Sequence, residues 1–107
     1  MQKFTLFLSI VVLISNLEAK TLTATRTYVC CQDKDNVGKV TNTMAKLINE
    51  KQILAAYNYM SANKCDVIIK DDKFIVSEST FSLVKAVRLD NGKSAWCPRE
   101  LEMEAKK

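Results

Sequence analysis

Histidine is missing from this chain of 107 residues, and glycine (two), proline (one) and tryptophan (one) are scarce. Without histidine the commonest general base is gone, and no Ser-Lys pair or Gly-x-Ser-x-Gly elbow replaces it. Carboxylates cluster only locally, as Asp71-Asp72 and as Glu100, Glu102 and Glu104. Neither group has the contrast of one buried and one polar carboxyl that acid–base pairs use, so the first reads as a turn and the second as a solvated tail. The expectation is a protein that is not an enzyme. Metal binding has equally little to work with: a zinc site would need all four cysteines, two of them adjacent, and no Cys-x-x-Cys redox motif is present. No metal or cofactor is expected. Low glycine and proline argue against a linker or a disordered chain, and no repeat or low-complexity tract interrupts the sequence.

The charge is +4, with 16 Lys and Arg against 12 Asp and Glu. The cations are scattered, with no dense basic run and few interleaved aromatics, which is the pattern of a solvated surface and excludes nucleic acid as the expected partner. Nor is there an apolar run of the roughly 20 residues that a membrane-spanning helix needs. The longest, Phe4 to Ile14, is 11 residues, follows Lys3 and precedes Ser15-Asn16-Leu17-Glu18-Ala19. That is the length and order of an export signal, and the spacing predicts cleavage after Ala19, although Leu17 is larger than the residue usually found three before the cut. An uncleaved anchor is the alternative. Residues 1–19 are thus read as a signal peptide and residues 20–107 as one small exported domain, without stable membrane insertion after cleavage. Its length of 88 residues suits a single modest core.

Cys30, Cys31, Cys65 and Cys97 all lie in that exported part. An even number of cysteines in a short exported chain reads as a disulfide framework and places the protein in an oxidising compartment, periplasmic or secreted. Three pairings are open. A bond between neighbours Cys30 and Cys31 would close a strained ring, so it ranks last. If both lie in a strand, their side chains leave on opposite faces, one toward Cys65 and the other toward Cys97.

Thr21 to Cys31, rich in Thr, Tyr and Val, predicts a first strand, with Thr27, Val29 and Cys31 on one face and Tyr28 and Cys30 on the other. Asp35 or Asn36 is positioned to cap a following helix. Val37, Val40, Met44, Leu47 and Ile48 share one helical face, whereas Ile53, Leu54, Tyr57 and Met60 form a second face rotated by about half a turn. One straight helix would expose one set. The pattern therefore predicts a break between Asn49 and Gln52 and two short helices, both stripes facing the core.

Antiparallel strands are predicted at 65–69, 73–78, 83–89 and 94–97, with Asp71-Asp72 as a hairpin turn. Asn91-Gly92 predicts a type I′ hairpin, because that turn needs positive φ at both central residues. The fold class is α+β: an N-terminal strand, a bent helical segment, then short antiparallel strands, stapled by disulfides. The stretch Leu-Val-Lys-Ala-Val-Arg-Leu-Asp-Asn-Gly-Lys-Ser-Ala-Trp-Cys-Pro, Leu83 to Pro98, resembles the C-terminal half of bacterial SH3-like (SH3b) domains. Those domains end in a valine-rich strand, an Asp/Asn-Gly turn, a Gly-Trp-Val strand and a one-turn helix with a leucine. Ala95 stands at the family's second glycine and Cys97 at its buried valine. The resemblance spans residues 73–101 and implies a partial barrel. It also implies that Trp96 lines a peptide-binding groove.

The resulting expectation is a non-catalytic binding or accessory protein of the bacterial cell envelope, acting on a protein or cell-wall peptide. Its candidate surface is Trp96 with Tyr28 and Arg88, and Arg88 or Arg99 is the expected partner for a ligand carboxylate. A secreted toxin or killing factor, an inhibitor, or an accessory protein of a secretion or conjugation system are the competing readings.

Overall fold

A computed structural model describes residues 20–107. The export signal expected at 1–19 lies outside the described residues. The fold is α+β, with six antiparallel strands and two main helices. In chain order these are β1 (Leu22–Thr23), β2 (Tyr28–Cys31), a 3₁₀ turn (Lys34–Asn36), α1 (Val37–Asn49) and α2 (Ile53–Ala62). They are followed by β3 (Cys65–Ile68), β4 (Lys73–Ser79), β5 (Leu83–Arg88), β6 (Ser94–Pro98) and α3 (Glu100–Ala105). The strands form one sheet in the order β1-β4-β5-β6-β2-β3. The sheet is open, with β1 and β3 at its edges, so the barrel implied by the SH3-like resemblance is not closed.

The first strand is shorter than its composition predicts. Thr25 and Arg26 bend the chain, so that Leu22 pairs with Phe74 on β4 whereas Tyr28 pairs with Ile68 on β3. The alternation predicted within it holds. Tyr28 and Cys30 enter one core, while Cys31, with Val29 packed beside it, enters the other.

The first core holds Phe74, Ile68, Val84, Ala86 and Cys97, closed by Leu101 from α3. The second lies under the helices and holds Cys31, Val37, Val40, Met44, Ala56, Met60 and Cys65. Each core carries one disulfide, Cys30–Cys97 in the first and Cys31–Cys65 in the second. Two disulfides fit an oxidising, non-cytoplasmic location.

Between the helices the predicted break is present. Lys51 takes a φ of 62°, and the amides of Lys51 and Gln52 donate back to Ile48 and Leu47. The capping residue is Asp33, whose carboxylate accepts from the Asp35 amide; Asn36 stands at the start of α1 without a side-chain bond. Three of the four residues in the second apolar stripe are not core. Met60 is buried, but Ile53, Leu54 and Tyr57 are exposed, because the small Ala56 occupies the inward position of α2 and brings that helix down flat on α1.

Two turns also differ from their predictions. Asp71, at φ 78°, does make a turn with Asp72, but β3 and β4 do not pair; the turn hands the chain from one end of the sheet to the other. The β5–β6 hairpin forms as expected, with Val87 opposite Ser94. Its loop, however, runs from Leu89 to Lys93 and only Gly92 has positive φ, at 72°. Asn91 instead uses its side chain to accept from the Lys93 amide, which suits the longer hairpin loops that end in a left-handed glycine.

Candidate functional site

Two adjacent cysteines on β2 sort the site residues by face. Residues directly opposite across a strand pair share a face, and Lys85, Trp96, Cys31 and Cys65 stand opposite one another across four strands. Trp96 therefore faces the helices. Its ring packs half-buried against the helical core, with Lys34 Nζ at 5.4 Å and Lys85 Nζ at 5.8 Å from its centroid. Tyr28 and Arg88 share the other side with Cys30, Ala86 and Cys97. The structure does not bring Trp96 together with Tyr28 and Arg88, since the sheet lies between them.

Tyr28 is buried and committed to the fold. Its hydroxyl donates to Glu104 on α3, while Arg26 Nε lies 3.0 Å from both the Tyr28 and the Glu104 oxygens. The Arg26 guanidinium carbon also stacks 5.2 Å from the Tyr28 centroid. The Tyr28 phenol is pushed up from its ordinary pKa, first by burial and then by the bond to Glu104. The Glu104 carboxyl is held below its usual range by that same bond and by Arg26. Arg99 is likewise occupied, donating to the carbonyls of Thr80 (3.1 Å) and Phe81 (3.4 Å) and so fastening the β4–β5 loop.

Arg88 lines a groove of about 320 Å³ on the face opposite the helices. The groove is the unfilled end of the first core. Its floor is the Cys30–Cys97 disulfide with Ile68, Ala86 and Ala95, and its rim carries Gln32, Lys64, Asp66, Asn91, Lys93 and Ser94. The pair Ala86 and Ala95, directly opposite on β5 and β6, explains the depression: two methyl groups occupy positions where larger side chains would fill it.

Arg88 crosses this groove to donate to Val67 O at 3.1 Å, and it pairs with Asp72 at 3.2 Å and Asp90 at 3.6 Å. Its charge is already balanced. Lys64 and Lys93 are exposed and form no ion pair among the described residues. Gln32 Nε2 donates to Ser94 O at 3.2 Å across the rim. Among the described lining residues the one carboxylate is Asp66, which accepts from the Val67 amide. The groove offers ammonium groups, amides and an apolar floor.

Sequence reasoning placed Arg88 in the site but missed Lys64, Lys93, Gln32 and Asn91. Lys93 and Asn91 sat in the hairpin loop it had identified, and the alternation of β5 and β6 could have put Lys93 on the face of Ala95 and Cys97. For Lys64 and Gln32 there was no such signal, because their placement depends on how β2 pairs with β3. Comparison of the chain with family models, with curated proteins and with solved structures finds no significant match.

Proposed function

We propose that this protein is a small, non-catalytic binding domain of the bacterial cell envelope, periplasmic or secreted, whose groove takes a peptide with a free carboxylate. The observation that carries the reading is the groove itself: a concave, disulfide-floored space with two unpaired lysines on its rim. Its volume lies at the lower end of small-ligand pockets, which suits two or three small residues rather than a folded partner. Lys64 and Lys93 supply the positive charge that Arg88 does not, and Asp66 is an acceptor for a peptide amide or amine. The methyl floor favours alanine-like side chains. On this reading the SH3-like likeness extends to a curled, barrel-like sheet presenting a peptide groove, with the groove on the face away from Trp96.

The test is an amide-resolved NMR titration with a short peptide ending in alanine, once as the free acid and once as the C-terminal amide. The acid should shift Ala86, Ser94 and Ala95 saturably, and Lys64→Gln with Lys93→Gln should weaken it about tenfold, the loss of one charge-assisted contact. Absence of saturable shifts, or equal binding of acid and amide, would overturn the reading.

A further inference from the structure

Helix α2 turns an apolar face to solvent. Leu54 is 75 % exposed, Ile53 54 % and Tyr57 46 %, and Ile48 on the last turn of α1 is 43 % exposed. The same stretch is electrically blank. From Gln52 to Asn63 there is no charged side chain, in a chain of which 26 % is charged. Solvated helix faces ordinarily carry lysine, glutamate and arginine, which favour helix and water together. Depletion of charge with enrichment of aromatic and large aliphatic groups is instead the composition of an interface core.

From this face we infer that the protein forms a symmetric dimer, with α2 of one copy packed on α2 of a second copy. Size supports it. The four side chains present apolar surface on the order of 400 Å², the size of the largest patch on a typical monomer, which is often functional. A standard interface covers about 800 Å² per partner, of which somewhat more than half is apolar. A patch of this extent, ringed by Lys46, Glu50, Lys51 and the polar residues of α2, has the core-to-rim proportions of such an interface. Charge supports the choice of occupant. Two molecules of charge +4 repel overall, so close approach is least opposed where the centre of the contact is uncharged, and α2 supplies such a centre. A membrane surface is a poorer fit, because helices that lie on lipid carry lysine and arginine along their polar face and α2 carries neither. In a two-fold arrangement each copy supplies the same surface, so Tyr57 of one meets the helix that bears Leu54 and Ile53 of the other. The grooves, on the opposite face of the sheet from the helices, stay open, and the dimer presents two of them.

Sedimentation of the purified, oxidised protein over a concentration series tests this. The wild type should show a reversible dimer, and Leu54→Asp should weaken association by about thirtyfold or more, because the two-fold interface loses the central side chain from both copies. The variant should keep its circular dichroism, and its melting temperature should match the wild type's at concentrations where both are monomeric, since Leu54 is exposed. Phe81→Ser, at a loop residue that is 94 % exposed, should leave the dimer intact. A photoreactive phenylalanine at position 57 should cross-link one copy to another. A monomer at all concentrations would overturn the inference, as would a dimer that survives Leu54→Asp or is lost in Phe81→Ser. Binding of the monomer through Leu54 to anionic vesicles would overturn it too.

Discussion

On one side of the sheet the core is made almost wholly by strands, with Phe74, Ile68, Val84 and Cys97 covered at one end by Leu101 from the short α3. On the other side it is made by two helices laid across Cys31, Cys65 and Trp96. The first side lacks a long helix to cover it, and its open end is the groove. The second side is filled, and what it leaves to solvent is the outer surface of α2. Each side thus has its own cover and its own disulfide, and β2 is the wall they share. A groove arises where a small domain has too few elements to cover both faces of a sheet.

Removing the staples one at a time sharpens this difference. Replacing Cys30 and Cys97 together by alanine, or Cys31 and Cys65 together, should each cost about 2 to 4 kcal/mol, measured by urea unfolding. The Cys30–Cys97 bond spans 67 residues and Cys31–Cys65 spans 34. The longer closure should make the first loss greater by about 0.6 kcal/mol. Both cysteines of the first pair line the groove and only Cys65 of the second does, so peptide binding should fall more with Cys30→Ala/Cys97→Ala than with Cys31→Ala/Cys65→Ala. Equal loss of binding in both would mean that the two sides are not separate.

A smaller effect is expected where α3 closes the strand-made side. The folded-state pKa of Glu104 lies below its ordinary value of 4.5, so its contribution to stability is complete above that pH and is lost as the pH falls through the lowered value. Tyr28 is shifted the other way: its contribution is present below 10.0 and is lost as the pH rises through the raised folded value. Comparing Glu104→Gln with the wild type by urea midpoint, the difference should be present at neutral pH and shrink below pH 4.5. Tyr28→Phe should flatten the alkaline limb instead. A difference independent of pH would mean that the Arg26–Tyr28–Glu104 contact is not what holds α3.

Much of the strand-made side was legible in the sequence. The alternation of Leu83 to Arg88, the turn residues Asn91-Gly92 and the parity of Cys30 and Cys31 are local features, and they gave the hairpin and the division of disulfides between faces. The pairing itself was not legible, since either cysteine can face either partner until the sheet order is known. The reading of Trp96, Tyr28 and Arg88 as one surface failed for the same reason: their strands are neighbours, but their parities differ once β6 is set against β2 by Cys31 and Trp96. On the helical side Val37, Val40 and Met44 of the first stripe are buried as expected and Leu47 packs partly buried beside them, but Ile48, on the last turn of α1, is exposed, because the stripe runs past the end of the surface that α2 and the sheet cover. The second stripe misled because hydrophobicity alone does not say which side of α2 is inward. Ala56, with Met60, takes that role by allowing close approach, and Ile53, Leu54 and Tyr57 remain outside.

The most direct test of the division between faces is a thiol count in two double variants that each keep two cysteines. Cys30→Ser/Cys97→Ser retains Cys31 and Cys65, which lie on the same side, and should show no free thiol by mass after alkylation without reductant. Cys30→Ser/Cys65→Ser retains Cys31 and Cys97, which lie on opposite sides, and should show two. The reverse result, two free thiols in the first variant and none in the second, would contradict the account.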